Sequence, residues 1–121
     1  MSLVDVAVGK DIFTATLLET PETADYLRIG SHVTLLFKET EIALAKNLSG
    51  MISLRNRVSV SVENIKRGDI LSAVTLDYDG KQLVSVITSR AIDRLEIIIG
   101  DPLEALVKAN EIALMAGHDD V

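Results

Sequence analysis

The residues of this chain that could do chemistry are few, and their types favour holding a ligand over transforming one. There is no cysteine among the 121 residues, so thiolate nucleophiles, thiolate metal sites and disulfides are excluded. The two histidines, His32 and His118, lie in unlike contexts without partners at zinc-ligand spacing and read as surface residues. Asp5, Asp11, Asp25, Asp69, Asp77 and Asp79 scatter near turns, where aspartate bonds local backbone, and no two carboxylates form a recognisable acid–base pair. No phosphate-binding loop and no Gly-x-Ser-x-Gly elbow occurs, so the chain reads as a non-enzyme. What remains is a thin set of donors: a few Lys and Arg side chains, Ser and Thr hydroxyls, and backbone N–H groups. Such groups can hold an oxyanion locally. Taken singly, Arg55, Lys108 and Lys38 read as solvated surface cations.

Charge and composition narrow the partners. The net charge of −6 argues against a nucleic-acid surface, which needs a basic face. Four aromatic residues, Phe13, Phe37, Tyr26 and Tyr78, are too few for the stacking platforms of a single-strand binder. No apolar run reaches the ~20 residues that span a bilayer. No basic-then-apolar leader opens the chain, and the expectation is a cytoplasmic protein. Hydrophobic residues make up 48% of the chain, mostly Val, Ile, Leu and Ala, a composition that suits half-buried strands.

The elements that must position those donors are repeated. Residues 9–44 align with residues 80–114 through one single-residue gap near Pro21. Gly9-Lys10 matches Gly80-Lys81, Gly30 matches Gly100, Lys38 matches Lys108, and Glu41-Ile42-Ala43-Leu44 matches Glu111-Ile112-Ala113-Leu114. Each copy reads as a strand, a short helical turn, a glycine break, then a strand that bends at its lysine. In the first copy Thr20 and Pro21 suit a helix start, and in the second the turn covers about Ser89 to Leu95. Val58, Val60 and Val62 alternate with polar residues and predict a further strand, and Asp79-Gly80 predicts a hairpin. The organisation expected is a partial first repeat at 1–46, a linker at 47–51, a complete second repeat at 52–116 and a tail at 117–121. The first copy has no counterpart of Ser53 to Lys66 and so lacks its leading strand, which exposes an edge and favours association.

The chain resembles a known family at several points in order. Ile52-Ser53-Leu54-Arg55-Asn56-Arg57-Val58 is similar to the Ser-Ala-Arg-Asn signature of the molybdate-binding Mop or TOBE domain. Ile65-Lys66-Arg67-Gly68-Asp69, Gly80-Lys81-Gln82-Leu83, Val86-Ile87-Thr88 and Leu106-Val107-Lys108-Ala109 resemble its later motifs. The resemblance covers 51–115, with 4–46 as a degraded copy. It implies a mostly β fold: two tandem OB-like small barrels, each with one short helix, the first lacking its leading strand. It implies an oxyanion site at Ser53, Arg55, Thr88 and Lys108, with Ala109 and Asn110 beside the lysine and Lys38 as a secondary candidate. Leu54 stands where the family usually has Ala, and Asn110 where Ser is common. Leu17 is expected at the first-copy position of Thr88. The ligand implied is molybdate or tungstate, without an organic cofactor, held for storage, sensing or transport regulation. Arg would supply fixed donors, Lys a point charge, and Ser and Thr hydroxyls.

The partners implied are a second copy, in a homodimer or higher homo-oligomer, and an ATPase or DNA-binding part of a larger chain. The alternative is a regulatory β domain that only dimerises such a protein and holds no ligand of its own.

Overall fold

Residues 1–117 are described by the computed structural model; residues 118–121 of the expected tail, His118 among them, lie outside them. Val4, Val6 and Val8 alternate with the exposed Leu3, Asp5 and Ala7 and form β1 (Ser2–Val8). The chain turns at Gly9, whose φ of +57° a side chain would strain, into β2 (Asp11–Leu17). Phe13, Ala15 and Leu17 of β2 are buried.

At Thr20 the backbone makes one hydrogen-bonded turn, with Thr23 N and Ala24 N donating to the Thr20 carbonyl. The short helix expected there does not form. The Thr23 hydroxyl accepts from Thr20 N at 2.8 Å and donates to its carbonyl at 3.1 Å, a local alternative to helix propagation. β3 (Val33–Leu36), a 3-10 turn at Glu39–Glu41 and β4 (Ala43–Ala45) follow.

The second half runs β5 (Asn56–Arg67), β6 (Leu71–Tyr78), β7 (Lys81–Thr88), α1 (Ser89–Leu95), β8 (Pro102–Val107), a 3-10 turn at Ala109–Glu111 and β9 (Ala113–Ala116). Strand order in the large sheet is β4-β8-β5-β6-β7. Val58, Val60 and Val62, with Val74, Leu76 and Tyr78 and with Leu103, Ala105 and Val107, bury the inward face. Removing each such Val or Leu side chain from water is worth about 1.5–3 kcal/mol. β5 bends at a register shift between Val62 and Asn64. That bend is pinned by Val62 N to the Asp101 carbonyl (3.0 Å) and Gly100 N to the Val62 carbonyl (2.8 Å). The chain is thus mostly β, as the sequence predicts, and forms a curled half-barrel with one helix where a short helix in each half was expected.

The sequence does not reveal that the two halves exchange strands. β4 joins the large sheet beside β8, and β9 leaves it to pair with β3. Leu36 faces Ala113 and Ala43 faces Leu106, which is one pairing seen from each half. The first 3-10 turn packs on β7 and the second on β2, again reciprocally. The hairpins share one register: Val8 faces Asp11 as Tyr78 faces Lys81. Gly9-Lys10 therefore corresponds to Asp79-Gly80, and the gap near Pro21 disappears. The counterpart of Thr88 becomes Leu18, which is exposed, in place of the buried Leu17 expected.

Across the halves, Tyr78 donates its hydroxyl to Asp11 at 2.6 Å and meets the Phe13 ring edge-on with centroids 6.3 Å apart. Burial, then Asp11, raises the Tyr78 phenol well above its ordinary pKa, so it remains a donor.

Candidate functional site

Thr88 and Lys108 sit at the ends of β7 and β8, and both line one groove of about 650 Å³. The floor is apolar, with Ile42, Leu54, Leu71, Val86 and Leu106. Thr40, Glu41, Ile42 and Ala43 come from the first half, because the first 3-10 turn leans on β7. The site is therefore composite, a consequence of the strand exchange that the sequence did not signal.

Thr88 has two tasks. Its hydroxyl accepts from Ala91 N at 3.1 Å and so caps α1. The hydroxyl proton remains to donate to a ligand. Lys108 is exposed at the head of the second 3-10 turn. Its chain bends there, as expected, because Glu111 N closes on the Lys108 carbonyl at 3.0 Å.

Ser53 and Arg55 do not line this groove, although Leu54 between them does. Both are exposed, and among the described residues Arg55 has no ion pair or side-chain hydrogen bond. Arg57, two residues on, is committed: it holds Glu104 in a two-pronged pair and reaches the Leu48 carbonyl at 3.4 Å. Glu104 holds the guanidinium above its ordinary pKa through that hydrogen bond. Ala109, Asn110 and Lys38 also lie outside the groove lining. Lys38 and Lys108 head equivalent turns, and Lys38 N donates to the Glu41 carboxylate at 3.1 Å.

Asn56, the last residue of the signature stretch, is 2% exposed and belongs to the frame. Its Oδ1 accepts from Thr14 N at 2.6 Å, while its Nδ2 donates to the carbonyls of Thr14 (2.8 Å) and Val107 (3.0 Å). It closes off the outward backbone groups of Thr14 in β2 and joins the halves. One signal was available in the sequence: Asn56 shares the inward phase of Val58, Val60 and Val62.

The electrostatics of the groove limit what it can hold alone. Lys108 is accompanied in the lining by two carboxylates, Glu41 and Glu111. A dianion placed there meets a net negative rim unless further cations arrive. Among the described residues no cluster of His, Asp and Glu could hold a metal ion, and no helix is long and apolar enough to cross a membrane. The groove lining brings the Thr88 hydroxyl and the Lys108 ammonium together as hydrogen-bond donors.

Residues 52–114 match the TOBE domain family. The molybdenum import ATP-binding protein ModC of Brucella abortus (strain 2308) is 38% identical over 79 residues, which are 64% of this chain and 22% of ModC. The molybdenum transport protein ModE of Herbaspirillum seropedicae is 30% identical over 113 residues, 92% of this chain and 42% of ModE. This chain thus spans less than half the length of either relative. The cytoplasmic molybdate-binding protein ModG, in a crystal structure with molybdate bound, superposes with a TM-score of 0.88 at 28% identity, over 95% of this chain and 84% of ModG. This chain belongs to the TOBE domain family.

Proposed function

We propose that this chain is a cytoplasmic binding module for a tetrahedral oxyanion, molybdate or tungstate, and not a catalyst. The observation that carries the reading is the convergence of Thr88 and Lys108 on one groove, in a chain whose fold follows a molybdate-binding protein almost end to end. In this reading residues 1–46 and 52–116 are the two repeats and 47–51 the linker.

The site is completed between copies of the chain. The groove has one lysine and two glutamates, while Arg55 stands exposed and unengaged on the segment whose Leu54 reaches the groove. Ser53 and Arg55 of one chain facing Thr88 and Lys108 of another would supply the missing charge. Ala109 and Asn110 then offer backbone and amide donors beside the lysine. Arg gives directional charge-assisted bonds, which are shorter and roughly twice as strong as neutral ones. In a longer protein the module would sense or store the anion on behalf of an ATPase or DNA-binding part.

Calorimetric titration with molybdate, tungstate and sulfate tests the proposal. Saturable heat with molybdate or tungstate is expected, and Lys108→Ala or Arg55→Ala should reduce affinity at least about tenfold, given about 1.5–3 kcal/mol for a hydrogen bond to a charged group. Absence of heat with every oxyanion rejects it.

The apolar groove floor favours a second reading, a ligand-free assembly module. Under it, sedimentation finds the oligomer without anion, and alanine at Arg55 and Lys108 leaves assembly unchanged.

A further inference from the structure

The groove that holds Thr88 and Lys108 has one wall from the first half, built on the turn at Glu39–Glu41. That wall is latched. Ser85 is 0% exposed on β7 and donates its hydroxyl to the Ile42 carbonyl at 2.7 Å, where the chain leaves the turn. The bond ties the turn to the strand that ends at Thr88, three residues on. Ala43, the next residue, faces Leu106, two residues before Lys108. The end of the turn is thus fixed to both strands that lead to the ligand donors. The other half shows that the fold does not demand this latch. Ala15 follows Asp11 as Ser85 follows Lys81, and it is also 0% exposed. The second turn packs on β2, where Ala15 offers no hydroxyl, and closes on itself through Ile112 N to the Ala109 carbonyl at 3.4 Å.

Thr40 is the polar residue that the latched turn brings into the groove. It is exposed, and among the described residues its hydroxyl makes no hydrogen bond. Glu41 beside it is engaged with its own turn, accepting from Lys38 N at 3.1 Å. Asn110 holds the place of Thr40 on the second turn and lies outside the lining. We propose that Thr40 is a third ligand donor of the groove, and that Ser85 is the positioning residue that holds it there. The proposal rests on the oxyanion reading and adds a donor from the first half to the two from the second. A tetrahedral dianion accepts hydrogen bonds on all its oxygens, and a threonine hydroxyl supplies a single proton. Donors from one half alone leave the anion free to shift along the groove. A donor from the other half fixes it, and a turn that is already held loses little entropy on binding. The Ser85 bond to Ile42 supplies that order in advance.

The test is calorimetric titration of the full chain with molybdate across a double-mutant cycle. Thr40→Ala, at an exposed position, should weaken binding roughly tenfold through the loss of one charge-assisted hydrogen bond, and Thr40→Ser should restore it. Ser85→Ala should also weaken binding, although Ser85 has no contact of its own with the anion. Because Ser85 acts through Thr40, the double variant should bind no more weakly than Thr40→Ala alone. A purely structural serine would instead multiply its loss onto that of Thr40. If Ser85→Ala fails to fold, Ser85→Cys, close in size and a weak donor, takes its place. Parent-like affinity in Thr40→Ala overturns the proposal, and multiplied losses in the double variant overturn the role of Ser85. Both results leave the oxyanion reading standing. Absence of heat with the parent chain removes that reading and this proposal together.

Discussion

Asn56 and Thr14 are joined by two hydrogen bonds that treat a side chain as if it were a neighbouring strand. The carboxamide oxygen accepts from Thr14 N at 2.6 Å, and its nitrogen donates to the Thr14 carbonyl at 2.8 Å. Both residues are about 2% exposed, so water cannot replace either bond. Asn56→Ala should therefore cost roughly 2–5 kcal/mol, since each buried backbone group left without a partner costs about 1–3 kcal/mol. Asn56→Asp should also destabilise, because a carboxylate cannot donate to the carbonyls of Thr14 and Val107. Urea denaturation measures both, and a loss under about 1 kcal/mol for Asn56→Ala would show that the framing role is wrong.

That residue also marks the limit of what the sequence discloses. Periodicity located β5 through Val58, Val60 and Val62, because inward burial at every second residue is a local property. The lysine bends were legible for the same reason, as interruptions of a pattern that resumes. Strand exchange was not legible: β3 could pair with either copy's final strand, and only long-range packing chooses β9. The composite groove follows from that choice, so Thr40, Ile42 and Ala43 could not be placed beside Thr88. Thr88 and Lys108 were found through the resemblance. The separation of Arg55 from them depends on which way a loop faces, which no local pattern records.

Thr88 should separate stability from binding. Its hydroxyl caps α1 through Ala91 N, and removing a threonine cap typically costs about 1 kcal/mol. Thr88→Ala should lower stability by that amount and also weaken oxyanion binding. Thr88→Ser keeps an oxygen for Ala91 and a proton for the ligand, so both properties should be nearly restored. Paired denaturation and calorimetry on the two variants decide the matter. Normal binding by the alanine variant would remove Thr88 from the site.

Arg55 and Arg57 should respond in opposite ways. Arg57 is held by Glu104 on a partly exposed surface, with side-chain exposures of 30% and 25%, and such pairs contribute about 0.2–1 kcal/mol. Arg57→Ala should cost no more than that and leave anion affinity nearly unchanged. Arg55→Ala should leave stability within about 0.5 kcal/mol, as expected for a surface residue without a partner among the described residues, and lose binding. Equal binding losses in both variants would mean that general positive charge, and not Arg55 itself, draws the anion.

Acid should weaken the fold in part through Asp101 and Asp93. Ile98 N at 3.0 Å, and then Lys46 at 3.1 Å, hold the Asp101 carboxyl below its ordinary value. Arg67 does the same for Asp93 through a 2.7 Å bond. A carboxyl with a lowered folded-state pKa binds its proton less readily than in the unfolded chain. Its stabilisation is complete above the unfolded value of about 3.9 and disappears as pH falls through the lower folded one. The urea midpoint should thus be flat between about pH 7 and 5 and fall below about pH 4. Asp101→Asn should lower the neutral plateau and flatten the acid decline, because the carboxylate that links Lys46 to the Ile98 turn is gone. Asp93→Asn should do so less, since that pair is exposed and salt screens it. An acid decline of the same depth in Asp101→Asn as in the parent would assign acid sensitivity to other carboxylates.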